Sequence, residues 1–130
     1  MKLDHIGIAV KNIDEALKLW QAAFGLKLIA VKEVAEQQVK VAMLELGDTH
    51  IELLEPVSQD STVNKFIERR GEGLHHIGIE VKDIERILKA MKNQGARLLD
   101  ETPRKGVLAA KVAFIHPKDT NGVLVELCQK

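Results

Sequence analysis

Cysteine is almost missing from this chain: Cys128 is the only one. One thiol cannot build an internal disulfide framework, and such scarcity fits a reducing compartment. Aromatic residues are nearly as scarce. Trp20, Phe24, Phe66 and Phe114 are the full set, too few for a base-stacking platform on nucleic acid. Net charge is missing too, because 19 basic side chains balance 19 acidic ones and leave no positive field for a phosphate backbone. No apolar run is long enough to span a bilayer, and Met1-Lys2-Leu3-Asp4 leads straight into a strand pattern without a signal sequence. The expectation is a soluble, cytoplasmic protein whose partners include neither nucleic acid nor a membrane.

What the chain does have is a repeat. The segment HIGIAVKNIDEALK begins at His5 and returns as HIGIEVKDIERILK at His76, 71 residues on. The same shift carries Lys40-Val41-Ala42 onto Lys111-Val112-Ala113. Each copy closes on an apolar strand holding one carboxylate, IELL around Glu52 and VEL around Glu126. A module of about 60 residues buries too little surface to be stable alone, so the 130 residues are expected to form one domain. It comprises module 1 (1–57), a linker (58–72) and module 2 (73–130).

Alternation and helical spacing give each module the order βαβββ. From Leu3 to Val10, Ile6, Ile8 and Val10 share one face while His5, Gly7 and Ala9 share the other. Asn12 with Glu15 three residues on marks a helix start. Ile13, Ala16, Leu17, Trp20 and Phe24 form its apolar stripe, and Gly25 is the stop. Strands are expected at 27–32, 39–46 and 50–55, with Gly47-Asp48 as a tight turn, and a short helix near 63–69. Module 2 repeats the order with a strand at 75–81, a helix at 83–94, and strands at 97–101, 110–116 and 122–128. An inserted loop, Pro117–Asn121, widens the spacing, so Glu126 lies 74 positions beyond Glu52.

Alternation also places His5 and His76 away from the helix-covered isoleucines, beside Gly7 and Gly78, which leave room near the backbone. Ile51, Leu53, Val125 and Leu127 take the core face of the closing strands, so Glu52 and Glu126 face the same way as the histidines. A single strand histidine of this kind is ordinarily structural. Paired with a carboxylate twice over, it reads differently, because a carboxylate in an apolar strand costs several kcal/mol unless something compensates it. Two imidazoles and two carboxylates suit zinc, cobalt, nickel or manganese better than calcium. His50 shares the Glu52 face and is a candidate to support it. His75 lies on the opposite face, His116 reads as structural, the Arg69, Arg70 and Glu72 cluster as a solvated turn, and Cys128 as packing.

These residues resemble the vicinal oxygen chelate, or glyoxalase-like, metalloenzymes and, within them, the methylmalonyl-CoA epimerase family. The specific segments are IELLEP at 51–56, KFIERRGEGLHHIGIEV at 65–81, PRKG at 103–106 and KVAFIHPKDTNGVLVEL at 111–127. The resemblance implies an α+β fold of two tandem βαβββ modules forming a curved mixed sheet around a metal-containing cleft. It places the metal ligands at His5, His76 and Glu126, with Glu52 at a fourth position where some members have Gln, holding one divalent ion per chain. Some bacterial members carry a glutamate base in the third strand. That position here is Val41, which leaves Glu52 as the substitute.

The reaction implied is interconversion of (2R)- and (2S)-methylmalonyl-CoA through an enolate, with Glu126 and Glu52 as the acid/base pair. Arg104, Lys105 and Lys118 are the expected contacts for the coenzyme A portion of an acyl-CoA thioester, and a homodimer is expected. Glyoxalase I and a metal-free binding module of the same fold are the alternatives.

Overall fold

The computed structural model describes all 130 residues, Met1–Lys130. The chain divides into two units, His5–His75, and Met1–Asp4 with His76–Lys130. The first unit carries β1 (Lys2–Ala9) from His5 onward, α1 (Ile13–Leu17), β2 (Leu28–Val34), β3 (Val39–Leu46), β4 (Thr49–Pro56) and α2 (Thr62–Arg70). Its strand order is β2-β3-β4-β1. The β2–β3 and β3–β4 pairs are antiparallel, and β4 pairs with β1 in parallel.

α1 starts where Asn12 predicts. The Asn12 side chain accepts the Glu15 N–H at 2.9 Å, and Glu55 on β4 accepts the Ile13 N–H at 2.7 Å. Between them they satisfy two of the donors that a helix start leaves open. The stripe Ile13, Ala16, Leu17 and Trp20 then packs with Ile6, Ile8 and Val10, as the alternation requires. Phe24 departs from it. The α-helix gives way to a π-helical stretch, Lys18–Ala23, in which the Phe24 N–H reaches Leu19 O at 2.9 Å. The wider π turn rotates later positions off a 3.6-residue stripe, and Phe24 is left 59% exposed.

The opposite face of this unit holds Ala9, Val39, Val41, Met43 and Leu54, packed with Val63, Phe66 and Ile67 of α2. The segment expected only to link the modules therefore supplies a second cover. Burial on the two faces of β1 is the reverse of what α1 alone would give. His5 is only 2% exposed and Ala9 is fully buried, whereas Ile6 and Ile8 under the short α1 keep part of their surface in water.

The second unit repeats the plan with β5 (Gly73–Glu80) from His76 onward, α3 (Ile84–Asn93), β6 (Lys111–Ile115) and β7 (Val125–Gln129), in the order β5-β7-β6. β5 and β7 are parallel, β6 and β7 antiparallel. Asp83 caps α3 through the Arg86 N–H at 3.2 Å, while Gln129 accepts the Ile84 N–H at 2.8 Å. Gln129 follows Glu126 by three positions just as Glu55 follows Glu52, so the two closing strands cap their own helices in the same way. Ile84, Ile87, Leu88 and Met91 pack with Ile77, Ile79 and Val81.

The strand expected at 97–101 is not formed. Only single bridges occur, Leu98 with Ile115 and Arg104 with Val112. The Asp100 carboxylate explains the loss: it accepts the Phe114 N–H at 2.9 Å, while the Leu99 and Asp100 N–H groups share the Phe114 carbonyl at 3.0 and 3.2 Å. A side chain has taken the place of a ladder partner, and local side-chain bonding of this kind competes with sheet. No helix is long and apolar enough to cross a membrane.

Candidate metal and active site

In the first unit the parallel register sets His5 beside His50 and Gly7 beside Glu52. Residues two apart on a strand share a face, so both histidines and the carboxylate project together over a glycine. His5 Nδ1 lies 3.5 Å from Glu52 Oε2, with side-chain exposures of 2% and 15%. His50 Nε2 lies 3.2 Å from the same oxygen. The His5 and His50 rings stack with centroids 5.4 Å apart.

The second unit builds the matching pair. The register sets Gly78 beside Glu126 and Ile79 beside Leu127. His76 Nε2 lies 3.5 Å from Glu126 Oε1, with exposures of 4% and 13%. Here the carboxylate is supported by Cys128, whose Sγ donates to Glu126 Oε2 at 3.2 Å. The Phe114 ring meets the His76 ring edge-on at 5.6 Å.

Both imidazole–carboxylate separations exceed the 2.7–2.9 Å of a charge-assisted hydrogen bond. They match instead the spacing of about 3.4 Å between two donor atoms on a tetrahedral ion with bonds of about 2.1 Å. A buried imidazole beside a nearly buried carboxylate is also the donor set that zinc, cobalt, nickel and manganese accept. Each unit thus presents a His–Glu pair of metal-ligand type and spacing. Next to His5 in sequence, buried Asp4 accepts from Lys130 Nζ at 3.0 Å. Burial pushes the Lys130 pKa down, but the hydrogen bond and charge of Asp4 outweigh it and hold the net value above that of a free lysine.

The remaining sequence candidates fall outside these pairs. Arg104 is half-buried: its Nη2 donates to Asp100 Oδ2 at 3.3 Å and its guanidinium lies 5.9 Å from the Phe114 ring centroid, so part of its bonding capacity is used within the protein. Lys105 and Lys118 are exposed. The inserted loop that carries Lys118 is pinned by Asp119, which accepts from the Arg97 backbone at 2.8 Å and from its guanidinium at 3.1 Å. His116 accepts the Lys118 N–H through Nδ1 at 3.1 Å, a structural use. His75 meets Phe66 edge-on. Val41 is 3% exposed inside the α2-covered apolar cluster, and no carboxylate occupies that position. The sequence reading of Cys128 as packing missed its bond to Glu126. The signal was the two-residue spacing on one strand.

The family model for the Glyoxalase/Bleomycin resistance protein/Dioxygenase superfamily matches residues 4–114. An uncharacterized protein of Bacillus subtilis, YqjC, is 44% identical, the match covering 98% of this chain and 91% of that one. The mitochondrial methylmalonyl-CoA epimerase of Dictyostelium discoideum is 37% identical over 99% of this chain and 78% of its own. The Streptomyces coelicolor methylmalonyl-CoA epimerase, solved in complex with 2-nitronate-propionyl-CoA, superimposes with a TM-score of 0.93 at 34% identity, covering 100% of this chain and 94% of that one. With a family model across most of its length and full-length relatives well above 30% identity, the chain belongs to the glyoxalase/bleomycin resistance protein/dioxygenase superfamily and, within it, to the methylmalonyl-CoA epimerase family.

Proposed function

We propose that this protein is a metal-dependent epimerase that interconverts (2R)- and (2S)-methylmalonyl-CoA. The observation that carries the reading is the duplicated His–Glu pair, 3.5 Å in each unit and built on equivalent strand registers. An epimerase has to take a proton from one face of C2 and return one to the other, so two carboxylates in equivalent but distinct surroundings suit it. In this reading Glu52 and Glu126 are the acid/base pair. One accepts the C2 proton as the enolate forms, and the other donates a proton to the opposite face.

His5, His76 and Glu126, with Glu52, are the residues that would hold one divalent ion, whether cobalt, zinc, manganese or nickel. When bound, such an ion supplies positive charge to the oxygens on which negative charge develops. The low exposure of both histidines keeps water from competing for them. Lys105 and Lys118, with the part of Arg104 not engaged by Asp100, are the proposed contacts for the coenzyme A phosphates. A homodimer working in the cytoplasm completes the proposal, and the single buried cysteine is in keeping with a reducing compartment.

The test is direct. The purified protein, loaded with cobalt or zinc and given the pure (2S) epimer in deuterated buffer, should form the (2R) epimer with one deuterium at C2. Glutathione-dependent consumption of methylglyoxal without any exchange at C2 would instead establish glyoxalase I. Ligand binding with neither reaction would establish a binding module.

A further inference from the structure

We propose that His50 is a positioning residue for Glu52: it ties down Oε2, so that Oε1 is the oxygen presented to substrate. The inference rests on the epimerase reading and adds a residue to it. The base form of a carboxylate can only accept, so where Glu52 acts as a base the imidazole donates across the 3.2 Å contact between His50 Nε2 and Glu52 Oε2. His5 Nδ1 approaches the same oxygen at 3.5 Å. Both imidazoles therefore converge on Oε2, and their stacked rings, 5.4 Å between centroids and 26° between planes, hold each other in place. The backbone reinforces this, because His5 and His50 are register partners across β1 and β4.

The second unit uses a different donor. Leu124 stands where His50 would be by its spacing from the glutamate, and Glu126 takes its support from the Cys128 thiol at 3.2 Å, a weak donor. The two acid/base groups thus have different donors beside them, an imidazole and a thiol. His50 governs only one of them, so its loss should be felt at one face of C2.

His50→Leu removes the donor while keeping an apolar side chain of similar bulk. His50→Gln keeps an N–H donor at the same reach as Nε2. Two readouts are needed, along with a melting curve for each variant. Zinc affinity of the metal-stripped protein, from competition with a chelator, should weaken about tenfold in His50→Leu, the usual scale for losing a partner of a ligand. It should return to near the parent value in His50→Gln. Deuterium exchange at C2, measured separately for each methylmalonyl-CoA epimer at saturating zinc, should slow about tenfold for one epimer in His50→Leu, leave the other within about twofold, and recover in His50→Gln. A merely structural histidine would lower the melting temperature and slow both epimers alike. The inference is overturned if the epimers slow equally, if His50→Leu matches the parent, or if His50→Gln fails as badly as His50→Leu. Should the parent protein itself exchange neither epimer, the epimerase reading fails, and the zinc measurement still decides the role of His50.

Discussion

The two units are built on one plan yet support their glutamates differently. In each, a histidine from the first strand approaches a glutamate on a closing strand at 3.5 Å, and a glycine sits beside that glutamate. In each, the residue three positions after the glutamate caps the unit's own helix. The differences lie one step further out. Glu52 is backed by an imidazole two residues before it, and Glu126 by a thiol two residues after it. The first unit also gains α2 as a second cover, whereas the second loses a strand to Asp100 and gains the loop pinned by Asp119. Duplication supplies two equivalent His–Glu pairs, and divergence around them gives two chemically identical carboxylates different neighbours. A reaction that treats opposite faces of one carbon has use for that inequality.

The comparison breaks most visibly at the histidines, where the units should be interchangeable. His5→Ala and His76→Ala should each weaken zinc by more than about 100-fold, since even outer partners of a ligand cost 10–100-fold. Exchange from both epimers should fall together. If one variant kept full metal affinity, measured against a chelator, the pairing would be unequal at its base.

The cores can be compared next. Leu53→Ala and Leu127→Ala remove equivalent, nearly fully buried side chains, and each should cost about 2–5 kcal/mol in urea unfolding. Ile8→Ala and Ile79→Ala should cost less, about 1–2 kcal/mol, because both side chains keep some contact with water. A larger loss at the isoleucines than at the leucines would contradict the burial described for the two faces.

A smaller effect should sharpen the contrast in support. Cys128→Ala removes one hydrogen bond from a weak thiol donor to Glu126, so exchange of the affected epimer should slow by about threefold or less. That is well short of His50→Leu. Equal effects would mean that the two glutamates are held alike.

The smallest effect concerns the loop present in only one half. The hydrogen bonds from the Arg97 side chain and backbone hold the Asp119 carboxyl below the usual carboxylate range. A depressed folded-state pKa gives stability that is present above the unfolded value and lost as pH falls through the folded one. Asp119→Asn should therefore melt slightly below the parent at pH 7, with the gap closing below the ordinary carboxylate range. A gap independent of pH would show that the clamp is not electrostatic.

Much of this was legible in the sequence because a repeat reports the same fact twice. The alternation around His5 and His76, the Asn12 and Asp83 starts and the faces of Glu52 and Glu126 all follow from a period of two or of 3.6. The misses have a common cause in side chains that bond where the pattern cannot see. Phe24 left its stripe when the backbone widened to a π turn, and the 97–101 strand yielded to the Asp100 carboxylate. The linker helix covered a face that alternation had left open. The caps at Glu55 and Gln129 went unread because a glutamate and a glutamine at matching positions do not look like a repeat. At the site, residue type and spacing identified the His–Glu pairs and raised His50 as a candidate. They could not separate a thiol that packs from one that also donates to Glu126.

The central claim is that Glu52 and Glu126 serve opposite faces of C2. The measurement is deuterium wash-in at full metal occupancy, run separately from the (2R) and (2S) epimers, for Glu52→Gln and Glu126→Gln. An amide can still offer an oxygen to a metal but cannot act as a base. Each variant should therefore slow exchange from one epimer by about 10²–10⁴ and spare the other, with the selectivity reversed between the two variants. Equal slowing of both epimers by both variants, or near-parent exchange in Glu52→Gln, would contradict the account and move the second base to another group.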